Sequence, residues 1–175
     1  MKTNKLKYLL ILFAHILFVN GQQNMDDFGR IVINTYIPKA DNLPEEAQKS
    51  LENKLNQMTA RYGIGGSELN PRFVLTARIN VGTKDIIAGP PQMISQNMEV
   101  TLFMGDAITN TIFSSATISI KGVGTNETKA YIDAFKNINP NNKNIAELLE
   151  QGKRKIIDFY TAQCGFILQD AKARS

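Results

Sequence analysis

The sequence predicts an α+β fold, a mixed four-stranded sheet with helices packed on one face, in the order β-α-β-β-β-α-α. Two observations predict it. Three segments in the middle of the chain alternate apolar and polar residues with period 2, which is typical of antiparallel strands with one covered face. Segments before and after them repeat apolar residues at helical spacing, so they can supply that cover.

The first strand and the first helix are predicted from residues 30–63. Residues 30–37 form a β-rich run that Pro38 ends. The helix has Pro44 in its first turn and Gly63 as a stop signal. It should cross from the first strand to the second. Its apolar residues recur at helical spacing: Ala47, Leu51, Leu55, Met58 and Tyr62.

The next three strands are predicted to form an antiparallel meander. Residues 105–110 are short enough for a hairpin turn between its second and third strands. The residues expected on the covered face are Phe73, Leu75, Ala77, Ile79 and Val81, then Met98, Val100, Leu102 and Met104, then Ile112, Ala116, Ile118 and Ile120.

The link between the first two meander strands, residues 84–96, reads KDIIAGPPQMISQ. Its two prolines predict a mobile loop that stands out from the sheet. Its apolar residues either pack back on the sheet or form a contact for a partner. The candidate partner-binding residues are Ile86, Ile87, Pro90, Pro91, Met93 and Ile94.

Two helices close the predicted domain, at about residues 126–138 and 143–164. Cys164 is the only cysteine, which excludes an internal disulfide and a cysteine-rich zinc site. It falls on the apolar stripe of the second helix, so we expect a buried thiol, with pairing to another chain as the alternative. Residues 165–175 either extend this helix or form a free end.

The first 21 residues have the pattern of a secretory signal peptide. A basic segment, an apolar run over residues 8–19 and a small residue at Gly21 follow in that order. The apolar run is shorter than the ~20 residues of a membrane-spanning helix. We predict cleavage before Gln22, with an uncleaved anchor as the alternative. The exported chain would have a tail over residues 22–29 and one domain over residues 30–164, and would be periplasmic or extracellular with no transmembrane span.

Removal of the signal peptide changes the net charge of the chain and removes its only histidine, and both changes limit the functions that the exported chain can have. It carries Lys2, Lys5 and Lys7 and no acid, so subtracting three charges from the net +4 leaves +1. A near-neutral chain gives no electrostatic basis for binding nucleic acid. His15, the only histidine, is removed as well, and with it the usual general base and metal ligand.

One segment of the chain has the order strand, Gly-x-Gly, helix, which is also how a phosphate-binding loop begins. Gly122 and Gly124 are followed by Thr125 and Asn126, but Glu127 stands where a dinucleotide loop needs glycine. The segment also follows the last strand of a meander and not the first strand of a parallel sheet. We therefore interpret Gly122, Gly124 and Thr125 as a structural strand-to-helix hinge, and we expect no cofactor, metal or catalytic site.

The segment ATISIKGVGTNETKAYIDAFKNI, residues 116–138, resembles the end of a small bacterial envelope domain. That domain is shared by penicillin-binding-protein activator lipoproteins, the curli secretion subunit and the TolB amino-terminal domain. The shared positions are the strand end at Gly122 and Gly124, the polar Thr125, and the helix alanines Ala130 and Ala134. The element order over residues 30–164 is similar too. The asparagine- and isoleucine-rich composition is similar to that of exported Bacteroidota proteins.

The resemblance implies a non-enzymatic adaptor that binds another envelope protein, or itself, through its sheet edge or loops. The lipid-anchored relatives begin with a lipidated cysteine, which this chain lacks. The alternative function is a binder of small molecules or glycans, or a histidine-free hydrolase that uses surface carboxylates. That alternative predicts a concave polar pocket containing Glu99 and a second carboxylate.

Overall fold

The computed structural model describes residues 31–39, 43–66 and 71–173. The predicted signal peptide (residues 1–21) and the whole of the predicted tail (residues 22–29) lie outside these residues. The described elements are β1 (Ile33–Thr35), α1 (Glu45–Arg61), β2 (Phe73–Ile87), β3 (Met93–Asp106), β4 (Thr111–Gly124), α2 (Glu127–Lys136) and α3 (Lys143–Ala173). Among the described helices, none is long and apolar enough to cross a membrane.

The four strands form one mixed sheet in the order β1-β2-β3-β4, so the predicted fold class is confirmed. β1 pairs in parallel with β2 over three residues, from Ile33 opposite Phe73 to Thr35 opposite Leu75. The other pairs are antiparallel. The crossover from β1 to β2 runs through α1, because a parallel connection cannot be made by a tight turn.

The helix α1 forms where the apolar spacing predicts it. Pro44 stands just before the helix, while Glu45 and Glu46 place negative charge at the positive end of its dipole. Gly63 follows the helix in the left-handed region, with φ of 67°, a conformation that glycine adopts without a Cβ clash. Four of the five predicted apolar residues are buried and Tyr62 packs against the core: Ala47, Leu51, Leu55 and Met58 face inward.

One continuous core lies between the sheet and the three helices. Its largest fully buried side chains come from β1, β2, β3 and all three helices, with Ile138 just after α2: Phe135, Ile33, Leu51, Leu55, Met58, Leu75, Met98, Leu102, Met104, Ile138, Ile145 and Leu149. Burying each such side chain contributes roughly 1.5–3 kcal/mol. The helices therefore cover one face of the sheet only, and the other face carries the polar members of each alternating strand.

Gly122 and Gly124 allow β4 to pack closely against α2, because neither residue has a Cβ. A Cβ on Gly122 would overlap the Ala130 carbonyl oxygen and lie 2.5 Å from the Ala134 nitrogen. A Cβ on Gly124 would lie 2.5 Å from the Ala130 nitrogen. Asn126 caps the helix, since its side chain accepts a hydrogen bond from the Lys129 N–H at 2.9 Å. The glycines let the helix lie directly on the strand.

The start of β4 departs from the predicted alternation. Ile112, expected in the core, is 62% exposed, while Phe113 is buried. The register between β3 and β4 shifts between Met104 and Gly105, and this irregularity reverses the faces of the residues before it. Ser114 lies after the irregularity, on the covered face with Ala116 and Ile118, and its hydroxyl donates to the Leu148 carbonyl oxygen at 2.8 Å.

The prediction of a buried Cys164 is wrong. The thiol is exposed, as are all side chains at positions 161–165. The apolar stripe of α3 contacts the core through Ile145, Leu149, Ile156 and, partly, Tyr160. The helix then continues to Ala173 beyond its last contact with the sheet. A helical period reports which residues share a face, but it does not report where the partner surface ends.

Candidate functional site

The predicted mobile loop at residues 84–96 is largely an ordered β-hairpin, which corrects the sequence prediction. β2 and β3 pair up to Ile87 opposite Met93, which leaves only residues 88–92 as the connection. A β-bulge lies between Val81 and Lys84. Because the bulge inserts an extra residue, it breaks the period-2 alternation that marks a strand in the sequence.

The six candidate partner-binding residues lie together at the end of this hairpin. We call Ile86–Ile94 the hairpin tip. Ile86 and Ile87 are 67% and 47% exposed, and the two prolines are exposed as well. Met93 and Ile94 are half-buried. Since successive residues of a strand face opposite sides, the tip presents apolar side chains on both faces of the sheet. Ile86 and Ile87 do not pack back on the sheet but are open to solvent, whereas Ile94 is half-buried. Contact with a partner stays a prediction.

A polar cluster fixes the base of the hairpin to the start of α2. The Lys84 ammonium donates to Glu127 Oε2 at 3.0 Å, and Gln96 Nε2 donates to Glu127 Oε1 at 3.1 Å. Gln96 is completely buried. The hydrogen bond from Lys84 lowers the pKa of Glu127, and the bond from Gln96 lowers it further against the opposing effect of burial. Sequence reasoning used Glu127 only to exclude a phosphate loop, and it missed this role.

A second cluster joins the opposite end of the sheet to α3. Asp106 has no exposed side-chain surface, and its Oδ2 accepts from Arg72 Nε at 3.0 Å and from the Tyr160 hydroxyl at 2.5 Å. Its Oδ1 accepts from the backbone N–H groups of Ile108 and Thr109. Burial raises the pKa of Asp106, but these four sets of hydrogen bonds outweigh it and hold the pKa far below its usual range. The cluster contains a fully satisfied carboxylate, which suits a structural role.

The polar face of the sheet has a shallow depression of about 580 Å³ around Glu99. Asn80 and Ser119 stand opposite Glu99 on the neighbouring strands. Glu99 is the only carboxylate among the residues that line it, so the depression lacks the second acid that the hydrolase alternative needs. The described residues also contain no group of three or more His, Cys, Asp or Glu side chains placed to hold a metal ion.

Within the described residues, no strand pairs with the edge of β2 beyond Leu75, because β1 ends after three residues. A groove of about 700 Å³ lies along this open edge. Arg78 is the one charged residue that lines it. The other lining residues are mostly apolar or aromatic: Ile37, Pro38, Leu43, Ala77, Ile79, Val81, Phe103 and Tyr131, with Thr76 and Asn80 on the polar side. No feature of the sequence marked this edge, since it depends on how far β1 extends.

Comparison with known proteins gives only distant likenesses. No protein-family model and no curated protein sequence matches the chain. A minor lipoprotein from Acinetobacter baumannii superposes with a TM-score of 0.36 at 14% identity, over 82% of this chain and 95% of that one. A candidate lipoprotein from Caulobacter crescentus superposes with 0.35 at 15%, over 76% and 90%. A dodecameric PelC variant from Paraburkholderia phytofirmans gives 0.40 at 18%, over 70% and 86%.

Two of these three neighbours are thus described as bacterial lipoproteins or candidates for one. With every TM-score below 0.5, the likenesses establish neither a family nor a function for this chain. The resemblance to penicillin-binding-protein activators, the curli secretion subunit and TolB stays a prediction from residues 116–138.

Proposed function

We propose that this chain is an exported, non-enzymatic protein-interaction domain of the bacterial cell envelope, and that the hairpin tip is its contact element. The observation that carries the proposal is the tip itself: Ile86 and Ile87 are open to solvent on a paired and braced hairpin. Its partner is another envelope protein or a second copy of the chain. Export is supported by the signal-peptide pattern of the first 21 residues.

The energetics favour a contact role for such a tip. Burying one large apolar side chain contributes roughly 1.5–3 kcal/mol, so two isoleucines can supply the centre of a small interface. A flexible loop would lose part of this to ordering, at about 0.5–1.5 kcal/mol for each immobilised side chain. The pairing of β2 with β3 and the Lys84–Glu127 contact order the backbone beforehand. The tip is therefore preorganised for binding.

Site-specific photocrosslinking tests the proposal. A photoreactive residue at position 88, in the full chain expressed in its native envelope, should give a defined cross-linked species. The double variant Ile86→Ser/Ile87→Ser, with the photoreactive residue at the same position 88, should lose that species without a change in melting temperature. The matched control is Ile108→Ser/Ile112→Ser, which removes isoleucines of 70% and 62% exposure at the other end of the meander. This control should retain the cross-link.

Two results would contradict the proposal. Equal cross-linking in the tip variant and in the control would show that the tip is not the contact element. Recovery of the chain only in the cytoplasmic fraction would contradict the assignment to the envelope. Cell fractionation measures the second point, and amino-terminal sequencing of the exported chain should give residue 22 as its first residue.

A further inference from the structure

We infer that the open edge of β2 pairs with the same edge of a second copy, antiparallel and about a two-fold axis, with Arg78 of each copy opposite Asp85 of the other. This inference rests on the proposed function, because it names a second copy as the partner of the hairpin tip. Three features favour a second copy at the β2 edge: the unpaired hydrogen-bonding groups of the edge, the exposed apolar side chains along it, and the opposite charges of Arg78 and Asp85.

The open edge presents unpaired peptide groups. The Leu75 carbonyl oxygen accepts from the Tyr36 N–H at 3.0 Å, so the peptide groups of Leu75 point away from β3. These groups alternate in direction along a strand, and those of Ala77, Ile79 and Val81 therefore point to the same side. No backbone hydrogen bond to these three groups from outside the sheet is found in the described residues. An exposed strand edge of this length is a template for another strand.

Exposed apolar side chains are concentrated along this edge. Of the seven large apolar side chains exposed in the described residues, four are Tyr36, Val81, Ile86 and Ile87. Val81 also lines the 700 Å³ groove described above. The other edge of the sheet differs, since β4 has one exposed isoleucine, Ile112 at its start, and the exposed side chains that follow are polar: Ser115, Thr117, Ser119 and Lys121. Part of that edge is also occupied by α2, because Asp133 accepts from the Val123 N–H. The β2 edge is therefore the one that association would cover.

The bulge in β2 restricts the register. Before it, Ala77 and Ile79 face the helices; after it, Lys84 and Ile86 do so, because they stand opposite Gln96 and Ile94. Paired residues must face the same side of a continuous sheet. An odd-numbered residue before the bulge must then lie opposite an even-numbered residue after it.

Charge selects one register from this set. Placing Arg78 opposite Asp85 of the second copy gives two opposite-charge pairs by symmetry, on the polar face of the sheet. Neither side chain makes an ion pair within the described residues. The same register puts Ile86 of one copy opposite Ala77 of the other, inside the groove. The result is a continuous eight-stranded sheet with both tips covered.

The first test is a charge exchange measured by sedimentation equilibrium at tens of micromolar, on the exported form of the chain. The unmodified protein should have twice the mass of one chain. Arg78→Asp and Asp85→Arg should each reduce the dimer, since like charges then face each other. The double variant Arg78→Asp/Asp85→Arg should restore it. Monomeric mass for the unmodified protein, or a double variant no better than the single ones, overturns the inference.

The second test reports the register directly. In a Cys164→Ser background, Arg78→Cys protein mixed with Asp85→Cys protein should form a disulfide-linked dimer under mild oxidation. Opposed residues in an antiparallel pair have Cα atoms ~4.5–5.5 Å apart, within the range of a disulfide. Arg78→Cys alone should not cross-link, because the two positions would be seven residues out of register, roughly 23 Å. Equal cross-linking of the single variant overturns the register.

The two proposals fail differently. If the protein is monomeric while the tip cross-link captures a different envelope protein, the proposed function stands and the second-copy inference is wrong. If the charge exchange and the disulfide both succeed but the tip cross-link is unchanged by Ile86→Ser/Ile87→Ser, the edge associates without the tip, and the proposed contact element is wrong.

Discussion

The Tyr160 hydroxyl donates to Asp106 Oδ2 at 2.5 Å and joins the β3–β4 turn to α3 across 54 residues of sequence. Arg72 completes the contact, with its guanidinium 4.5 Å from the centre of the Tyr160 ring and its Nε 3.0 Å from the same carboxylate oxygen. Tyr160 also packs edge-on against Phe73 and Phe159. One tyrosine thus holds the middle of α3 against the end of the sheet.

Tyr160→Phe should destabilise the protein. Hydrogen bonds to charged groups contribute about 1.5–3 kcal/mol, and the change keeps the ring packing while it removes one bond from a buried carboxylate. Urea unfolding should show a loss in this range. Tyr36→Phe removes an exposed hydroxyl and should leave the midpoint unchanged. Equal midpoints for Tyr160→Phe and the unmodified protein would show that the short contact does not stabilise the fold.

Asp106 should make stability depend on pH in the acid range. Its pKa in the folded protein lies well below the ordinary 3.8. A lowered folded-state pKa contributes stability that is present above 3.8 and is lost as the pH falls below that value toward the folded-state pKa. Asp106→Asn should flatten the dependence of unfolding free energy on pH below about pH 4. An unchanged slope in that variant would assign the acid loss to other carboxylates.

Gly122→Ala and Gly165→Ala should have opposite effects. A Cβ on Gly122 meets the backbone of α2, and overpacking of this kind costs typically 1–3 kcal/mol. Gly165 lies within α3, and a Cβ at this position would have no atom within 4 Å. Alanine there should therefore stabilise the helix by about 0.5–1 kcal/mol. Thermal melting of both variants measures the difference. A neutral Gly122→Ala would show that β4 and α2 can separate at no cost.

Glu127→Ala should loosen the hairpin base more than Lys84→Ala does. The glutamate change leaves the buried Gln96 amide without its acceptor, a loss of about 1–3 kcal/mol. The Lys84–Glu127 pair is substantially exposed, and such pairs contribute ~0–1 kcal/mol. Hydrogen exchange of the β2–β3 amides should increase in the order Lys84→Ala, then Glu127→Ala. Glu127→Gln keeps an acceptor for Gln96 and serves as the control, with exchange near that of Lys84→Ala.

Local patterns predicted the elements well where one face of an element is buried along its length. The α1 spacing from Ala47 to Met58 and the alternation from Met98 to Met104 both describe buried faces. The pattern failed where an irregularity changed the period. Because of the bulge after Val81, eight residues of the paired hairpin were predicted to be loop, and the shift at Gly105 reversed the expected face of Ile112. Neither bulge could be predicted, because an extra residue interrupts the alternation without producing a repeating pattern of its own.

The candidate site shows the same division. Its six apolar residues were found from composition, because isoleucines beside two prolines are unusual for a connection. The support that holds them was not found, because Lys84, Gln96 and Glu127 are distant in sequence and meet only when β2, β3 and α2 are assembled. The extent of the open β2 edge was also hidden, since it depends on where β1 ends.

The sequence by itself determined the order of elements, the mixed sheet with helices on one face, and the apolar residues of the tip, because periodicity and composition are local properties. Only the tertiary structure decided that the tip is a braced hairpin, that Cys164 is exposed, and that the edge of β2 is open. These depend on how far each element extends past its neighbours, and that length is set by packing between distant segments.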